Sequence, residues 1–188
     1  MKRIFFFSIL LIFYFTITAK SQNEITLGIG YFGETIFHPG LVAQVEYDKF
    51  LTNKISIPIR TDIGYYIHKR NHQAIFSELI TGIRWHFLPR WHAGLNAGVG
   101  LMASWHHSDD GVFIVDNSGN ISRTTSFAGL DFMPSTGFEF AYKIKEGSKN
   151  NYIWLRPKAF WQMNVNERAL FHFALEIGYS FTLNSKTK

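Results

Sequence analysis

Polar and apolar residues alternate with period two through most of the chain. From Trp91 to His106 the odd positions read Trp91, Ala93, Leu95, Ala97, Val99, Leu101, Ala103, Trp105. The even positions read His92, Gly94, Asn96, Gly98, Gly100, Met102, Ser104, His106. Successive side chains of a strand point to opposite faces, so one face is apolar and the other small and polar. The same alternation sets Ile25–Tyr31, Leu41–Tyr47, Ile55–Ile67 and Ile75–Phe87 on apolar faces, and after the Trp91 strand Ala128–Tyr142, Ile153–Met163 and Phe171–Leu183. That makes eight strands, with no convincing amphipathic helix.

The connections predict an order. Leu51–Lys54 and Leu88–Arg90 are tight. Gly33–Gly40, His68–Gln73, Asn164–Ala169 and above all His107–Ser126 are longer. Tight turns on one side and longer loops on the other suit an all-β, eight-stranded antiparallel up-and-down barrel. Lys143–Asn151 is long for the tight-turn side. Within the longest connection, Asp116-Asn117-Ser118-Gly119-Asn120 reads as a turn, which predicts a hairpin of Val112–Val115 with Ile121–Thr124.

Charge decides which face is inside. The apolar faces carry no charged residue, while the opposite faces carry Glu24, Glu46, Asp48, Arg60, Asp62, Glu78, Arg84, Asp131, Glu139, Arg156, Lys158 and Glu176. They also carry ten glycines, among them Gly30, Gly64 and Gly178. A soluble barrel of the lipocalin type would turn the apolar set inward. Eight strands enclose a lumen only just wide enough for side chains, and a face of Trp, Ile and Phe would overfill it. The charged, glycine-rich face is therefore the lumen, and the apolar face meets lipid. Buried charges need partners, so Arg60, Asp62, Glu78, Arg84, Asp131, Glu139, Arg156, Lys158 and Glu176 are expected to form an ion network that plugs the lumen. Arg60, Arg84 and Arg156 would be its hubs, and Glu24, Glu46 and Asp48 are expected in water at the mouths. Trp85, Phe87 and Trp91 at one tight turn and Trp105 and Trp161 near the long loops are expected to form two interfacial girdles, with Tyr179 and Phe181 also at a membrane interface.

Composition adds an address. Of 188 residues, 46% are hydrophobic, 18% charged and 17% aromatic. An aromatic load of that size must lie in a core or in lipid. The absence of cysteine excludes a disulfide scaffold, a thiol nucleophile, a Cys-ligated zinc and a lipid-modified N-terminal cysteine. Met1-Lys2-Arg3, the apolar Ile4–Thr18 and the small-x-small Ala19-Lys20-Ser21 have the layout of a signal peptide over residues 1–21. The barrel then occupies 22–183, with a polar tail at 184–188. Loss of Lys2, Arg3 and Lys20 would lower the formal net charge from +5 to +2. No basic patch suggests a nucleic-acid partner.

In these features the chain resembles the small eight-stranded outer-membrane β-barrels of Gram-negative bacteria, from Asn23 to Leu183. Tyr179 and Phe181 resemble the barrel-assembly signal in the last strand, although Thr182–Lys188 follow where such barrels end on an aromatic. The resemblance implies insertion by the barrel-assembly machinery, lipid and lipopolysaccharide as neighbours, and an outer-membrane location. It does not imply one activity.

Three motifs bear on chemistry. Gly28-Ile29-Gly30-Tyr31-Phe32-Gly33 spells a dinucleotide fingerprint but has neither a preceding strand nor a following helix, so it reads as strand. His106-His107-Ser108 looks like the His-x-Ser motif of outer-membrane lipid A deacylases. That likeness implies His106 as base and Ser108 as nucleophile, with Asp109 where the family has Asn. His106, Asp109 and Asp110 could also face a metal, but His106 and His107 point to opposite faces of a strand. The reading favours a surface-interaction or envelope-integrity protein with no cofactor or metal and a surface ligand not legible in the sequence. A lipid A hydrolase and a narrow pore are the alternatives.

Overall fold

The computed structural model describes residues 23–69, 72–106, 112–115, 118–124, 127–145, 150–165 and 168–183. The expected signal peptide, the polar tail and Ser108 lie outside them. Eight long antiparallel strands close a barrel: β1 (Glu24–Glu34), β2 (His38–Phe50), β3 (Ile55–Ile67), β4 (His72–Leu88), β5 (Trp91–His106), β8 (Phe127–Lys145), β9 (Asn151–Val165) and β10 (Arg168–Thr182). Each pairs with its neighbour in sequence, and β1 pairs with β10 to close the ring. Between β5 and β8 stands the separate hairpin of β6 (Val112–Val115) and β7 (Ile121–Thr124), with the bounds expected from the sequence. The turn forms around Gly119, whose φ of 81° suits glycine.

Closure leaves the barrel sheet without an open edge, which is what a strand needs where water is absent. The outward face is a continuous apolar band. Ile29, Leu41, Ile63, Leu79, Ile83, Leu95 and Phe138 are each more than half exposed. A soluble monomer rarely exposes more than a few hundred Å² of contiguous apolar surface, and here the band circles every strand. It is a lipid-facing surface, and the barrel is a transmembrane one. The hydrophobic gain comes from lipid contact on this side and close packing on the other.

The connections differ from the expectation at two places. Only 35–37 join β1 to β2, and only 166–167 join β9 to β10. The strands run on past the apolar band because the polar residues there still pair main chain to main chain, as Glu34 does with His38. The 107–126 connection alone is long, and it defines a loop end and a turn end. At the loop end, Thr35 and Ile36 take left-handed φ values of 44° and 72°. Each costs a β-branched residue on the order of 1 kcal/mol. The conformation is held by Thr35 N donating to Phe173 O at 2.7 Å, Ile36 N to Gly33 O at 3.0 Å and the Tyr31 hydroxyl to Ile36 O at 2.8 Å.

Candidate functional site: the barrel lumen

The lumen is filled in layers. Toward the turn end and the middle lies an ionic layer. Glu139 on β8 is its centre. Arg84 on β4 donates from Nε to Glu139 Oε1 at 2.8 Å, Arg60 on β3 donates from Nη1 to Glu139 Oε2 at 3.1 Å, and Arg156 on β9 donates from Nε to the same oxygen at 2.5 Å. His92 Nε2 lies 3.3 Å from Glu139 Oε1. Arg84 also donates to Asp48 Oδ2 at 2.6 Å and Glu46 Oε2 at 2.9 Å, and Arg60 Nε to Asp62 Oδ1 at 3.0 Å. Lys158 holds Glu78, which also accepts from the Ser135 hydroxyl. All these side chains are buried.

The guanidinium fork explains why arginines sit at the hubs. Its several donors reach carboxylates on several strands at once. Glu176, by contrast, lies 3.5 Å from Lys158 Nζ and 4.0 Å from Arg156 Nη1, and neither of its oxygens accepts a hydrogen bond within the described structure. Asp131 stands apart from this layer, accepting from Gln162 Nε2 at 2.6 Å.

Glu46 and Asp48 correct the sequence reading. Both were expected in water at a mouth, yet both are 4% exposed and bound to Arg84. The cause is the length of the guanidinium arm, which draws them into the network. Glu24 is half-buried and accepts from Asn150 Nδ2 at 2.7 Å and the Tyr152 hydroxyl at 3.3 Å.

Toward the loop end lies an apolar layer that the sequence reading missed. Phe32, Tyr66, Phe76 and Phe160 are buried together with Met102 and Met133. The Phe32 ring centroid lies 4.8 Å from that of Phe76 and 5.5 Å from that of Tyr66. Lumen glycines make room for large rings. Gly64 stands directly across from Phe76 in the β3–β4 register, and a Cβ at Gly64 would run into the end of that ring. Gly30 and Gly178 face each other across β1 and β10, and a Cβ on either would strike the Trp154 indole. Arg156 covers that indole, 3.9 Å from the ring centroid, and so joins the aromatic and ionic parts. The signal was present in the sequence: Phe32, Phe76 and Phe160 share the parity of the lumen ions.

Above the aromatics is a histidine rim. Glu34 accepts from His172 Nδ1 at 3.0 Å and from His38. The His38 and His68 rings stand 3.6 Å apart, and the Tyr66 hydroxyl lies 3.2 Å from His72 Nε2. Among the described residues no three His, Asp or Glu are disposed to hold a metal ion.

His106 is the last residue of β5 and pairs with His72 in the β4–β5 register. Ser108, Asp109 and Asp110 lie outside the described residues, so the pairing of His106 with Ser108 does too. The aromatics sit at both ends of the outward face. Trp91 contacts Tyr142 at 4.8 Å between centroids at the turn end, where Trp85 is 58% exposed and Tyr179 and Phe181 also face outward. Trp161 contacts Phe171 at 5.5 Å at the loop end, and Trp105 stands opposite Gln73 there.

No family model and no curated protein matches the sequence. Among solved structures, the chain is similar to Neisserial surface protein A (NspA), with 8% identity and a TM-score of 0.54 over 86% of this chain and 96% of that one. It is also similar to the N-terminal β-barrel domain of Pseudomonas aeruginosa OprF, with 15% identity and a TM-score of 0.50 over 87% of this chain and all of that one. At these identities the likeness is one of fold. It places the chain among eight-stranded antiparallel barrels.

Proposed function

We propose that this protein is a bacterial outer-membrane barrel with a plugged lumen, acting by surface interaction or in envelope integrity and without catalysis. The filled lumen carries the reading. The spaces beside Glu139 and beside Ser135 hold about 10 Å³ each, roughly one water-sized site. A pore needs a continuous aqueous path, and here a layer of fixed ions is followed by one of packed rings. The uncharged outward belt and the closed ring of strands support the membrane setting. On this reading the turn end faces the periplasm and the loop end faces out, with the β6–β7 hairpin as the element offered to a surface partner. Outer-membrane lipid and lipopolysaccharide surround the belt, and the barrel-assembly machinery inserts a chain exported by the residue 1–21 signal.

Planar-bilayer recording of the refolded barrel tests the plug: no steady conductance of porin size is expected, and a lasting open state overturns it. Lipid A analysis separates this reading from a hydrolase. Ser108→Ala is expected to leave the acylation pattern unchanged, and a loss of deacylation would establish the enzyme.

A further inference from the structure

The loop-end part of the β9–β10 pair stands without a laddered neighbour on either side. On one edge, β8–β9 pairing ends with Ser135 opposite Phe160, although β8 runs on to Phe127 and β9 to Val165. On the other, β1–β10 pairing ends with Glu34 opposite Ala174, although β10 starts at Arg168. Among the described residues, none in 161–165 joins the β8 ladder and none in 168–173 joins the β1 ladder. β9 and β10 stay paired with each other up to Val165 and Arg168, and β8 stays paired with β5 up to Phe127.

Proline explains the break. The register that sets Ser135 opposite Phe160 sets Pro134 opposite Trp161. Pro134 keeps its place across from Val99 in the β5 ladder, so its missing N–H lies on the β9 side. Pro157 keeps its place across from Leu175 in the β10 ladder, so its missing N–H faces the same seam. Further toward the loop end, the register of β8 against β5 shifts between Ser104 and Trp105, and Gly129 takes a φ of 145°. An irregularity of that kind bends the strand that carries it.

Side chains hold the seam where main chain does not. Gln162 Nε2 donates to Asp131 Oδ2 at 2.6 Å across it, and both side chains are buried. Asp131 stands apart from the ionic layer and has its role here. On the opposite edge, Thr35 N donates to Phe173 O at 2.7 Å, and His172 Nδ1 lies 3.0 Å from Glu34 Oε1. Both contacts are at the base of the segment, where the His172 ring also stacks on Phe160 at 4.7 Å. Gln162 is two residues beyond that base. Met133, two residues from Asp131 on the same face of β8, belongs to the buried apolar layer beneath.

We infer that the loop-end part of the β9–β10 pair is a lid over the aromatic layer, hinged at Phe160 and Ala174 and latched to β8 by Gln162 and Asp131. Its opening bares the apolar layer from the loop end. The ionic layer below stays shut, so the lid makes no axial pore.

The absence of cysteine gives the test a clean reporter. The full barrel in nanodiscs carries either Met133→Cys, beneath the latch, or Val42→Cys, in the same apolar layer behind unbroken β1–β2 and β2–β3 ladders. Labelling by a water-soluble maleimide is followed over time. Gln162→Leu should speed labelling of the Met133→Cys thiol about tenfold, the scale of one lost side-chain hydrogen bond, and leave that of Val42→Cys unchanged. Asp131→Asn keeps an acceptor oxygen and should accelerate labelling less than Gln162→Leu does. Heat-modifiable migration on gels confirms that each variant is folded. Should Gln162→Leu fail to fold, Asp131→Leu breaks the same bond from the other strand. Labelling of Met133→Cys that does not accelerate when the bond is broken, or equal acceleration at both thiols, overturns the lid. Equal rates in Asp131→Asn and Gln162→Leu overturn the latch.

Discussion

The ionic and aromatic layers of this lumen are equally buried and are stabilised by opposite means. The aromatic layer gains by leaving water, and its rings add edge and offset contacts with one another. The ionic layer loses hydration on entering and recovers it only through mutual attraction and hydrogen bonds. One layer therefore tolerates change in proportion to the volume removed. The other depends on which partner is left behind. The difference teaches that burial alone does not rank these residues, and that the number of satisfied contacts does.

The largest effect is expected at Glu139, because its removal takes one shared carboxylate from Arg60, Arg84 and Arg156 at once and leaves them only their outer partners. Glu139→Leu should cost at least about 3–5 kcal/mol in urea unfolding from lipid vesicles. A cost below 1 kcal/mol would show that the three guanidiniums find other partners. Phe76→Ala comes next. It empties part of the aromatic layer and should cost about 3 kcal/mol, the scale of a lost buried ring, with Gly64 opposite offering no side chain to refill the space. The same pair gives a sharper test: Gly64→Ala should destabilise alone, and Phe76→Leu in the same chain should recover part of the loss.

The outward belt supplies the outside reference for both layers. Leu79→Arg, near the middle of β4, should cost about 2–4 kcal/mol in lipid, as a charge facing hydrocarbon does. A neutral result would place Leu79 away from the bilayer core. The smallest effect is expected inside the ionic layer itself. Glu176 is fully buried, yet its oxygens accept no hydrogen bond within the described structure and its cations lie at 3.5 and 4.0 Å. Glu176→Gln should change stability by less than about 1 kcal/mol, or raise it, by relieving the desolvation of a poorly matched charge. A loss as large as that of Glu139→Leu would erase the distinction drawn here between matched and unmatched buried charge.

Much of the fold was legible because strand pattern is local. Parity within a strand assigns Ile63 to one face and Asp62 to the other without any knowledge of the neighbours. Asp116–Asn120 announces its own turn, and the β6–β7 hairpin follows from it. The loops at 35–37 and 166–167 were less legible. Polar residues such as Glu34 and His38 look like loop in sequence but extend the ladder when a partner strand lies opposite. The aromatic layer was hidden by a similar limit. Phe76 on the polar face looks like a lapse in the pattern until Gly64 is seen across from it.

The sequence by itself determined the number of strands, the face that meets lipid and the set of charges that must share an interior. These follow from a period of two and from the small volume inside eight strands. Only the tertiary structure decided which charges meet. Arg60 and Glu139 are 79 positions apart, and their distance depends on the register of every strand between them and on closure of β1 with β10. It also decided that Glu46 and Asp48 belong to the network while Glu176 is poorly held within it. Those outcomes turn on side-chain reach across a closed barrel, which has no counterpart along the chain.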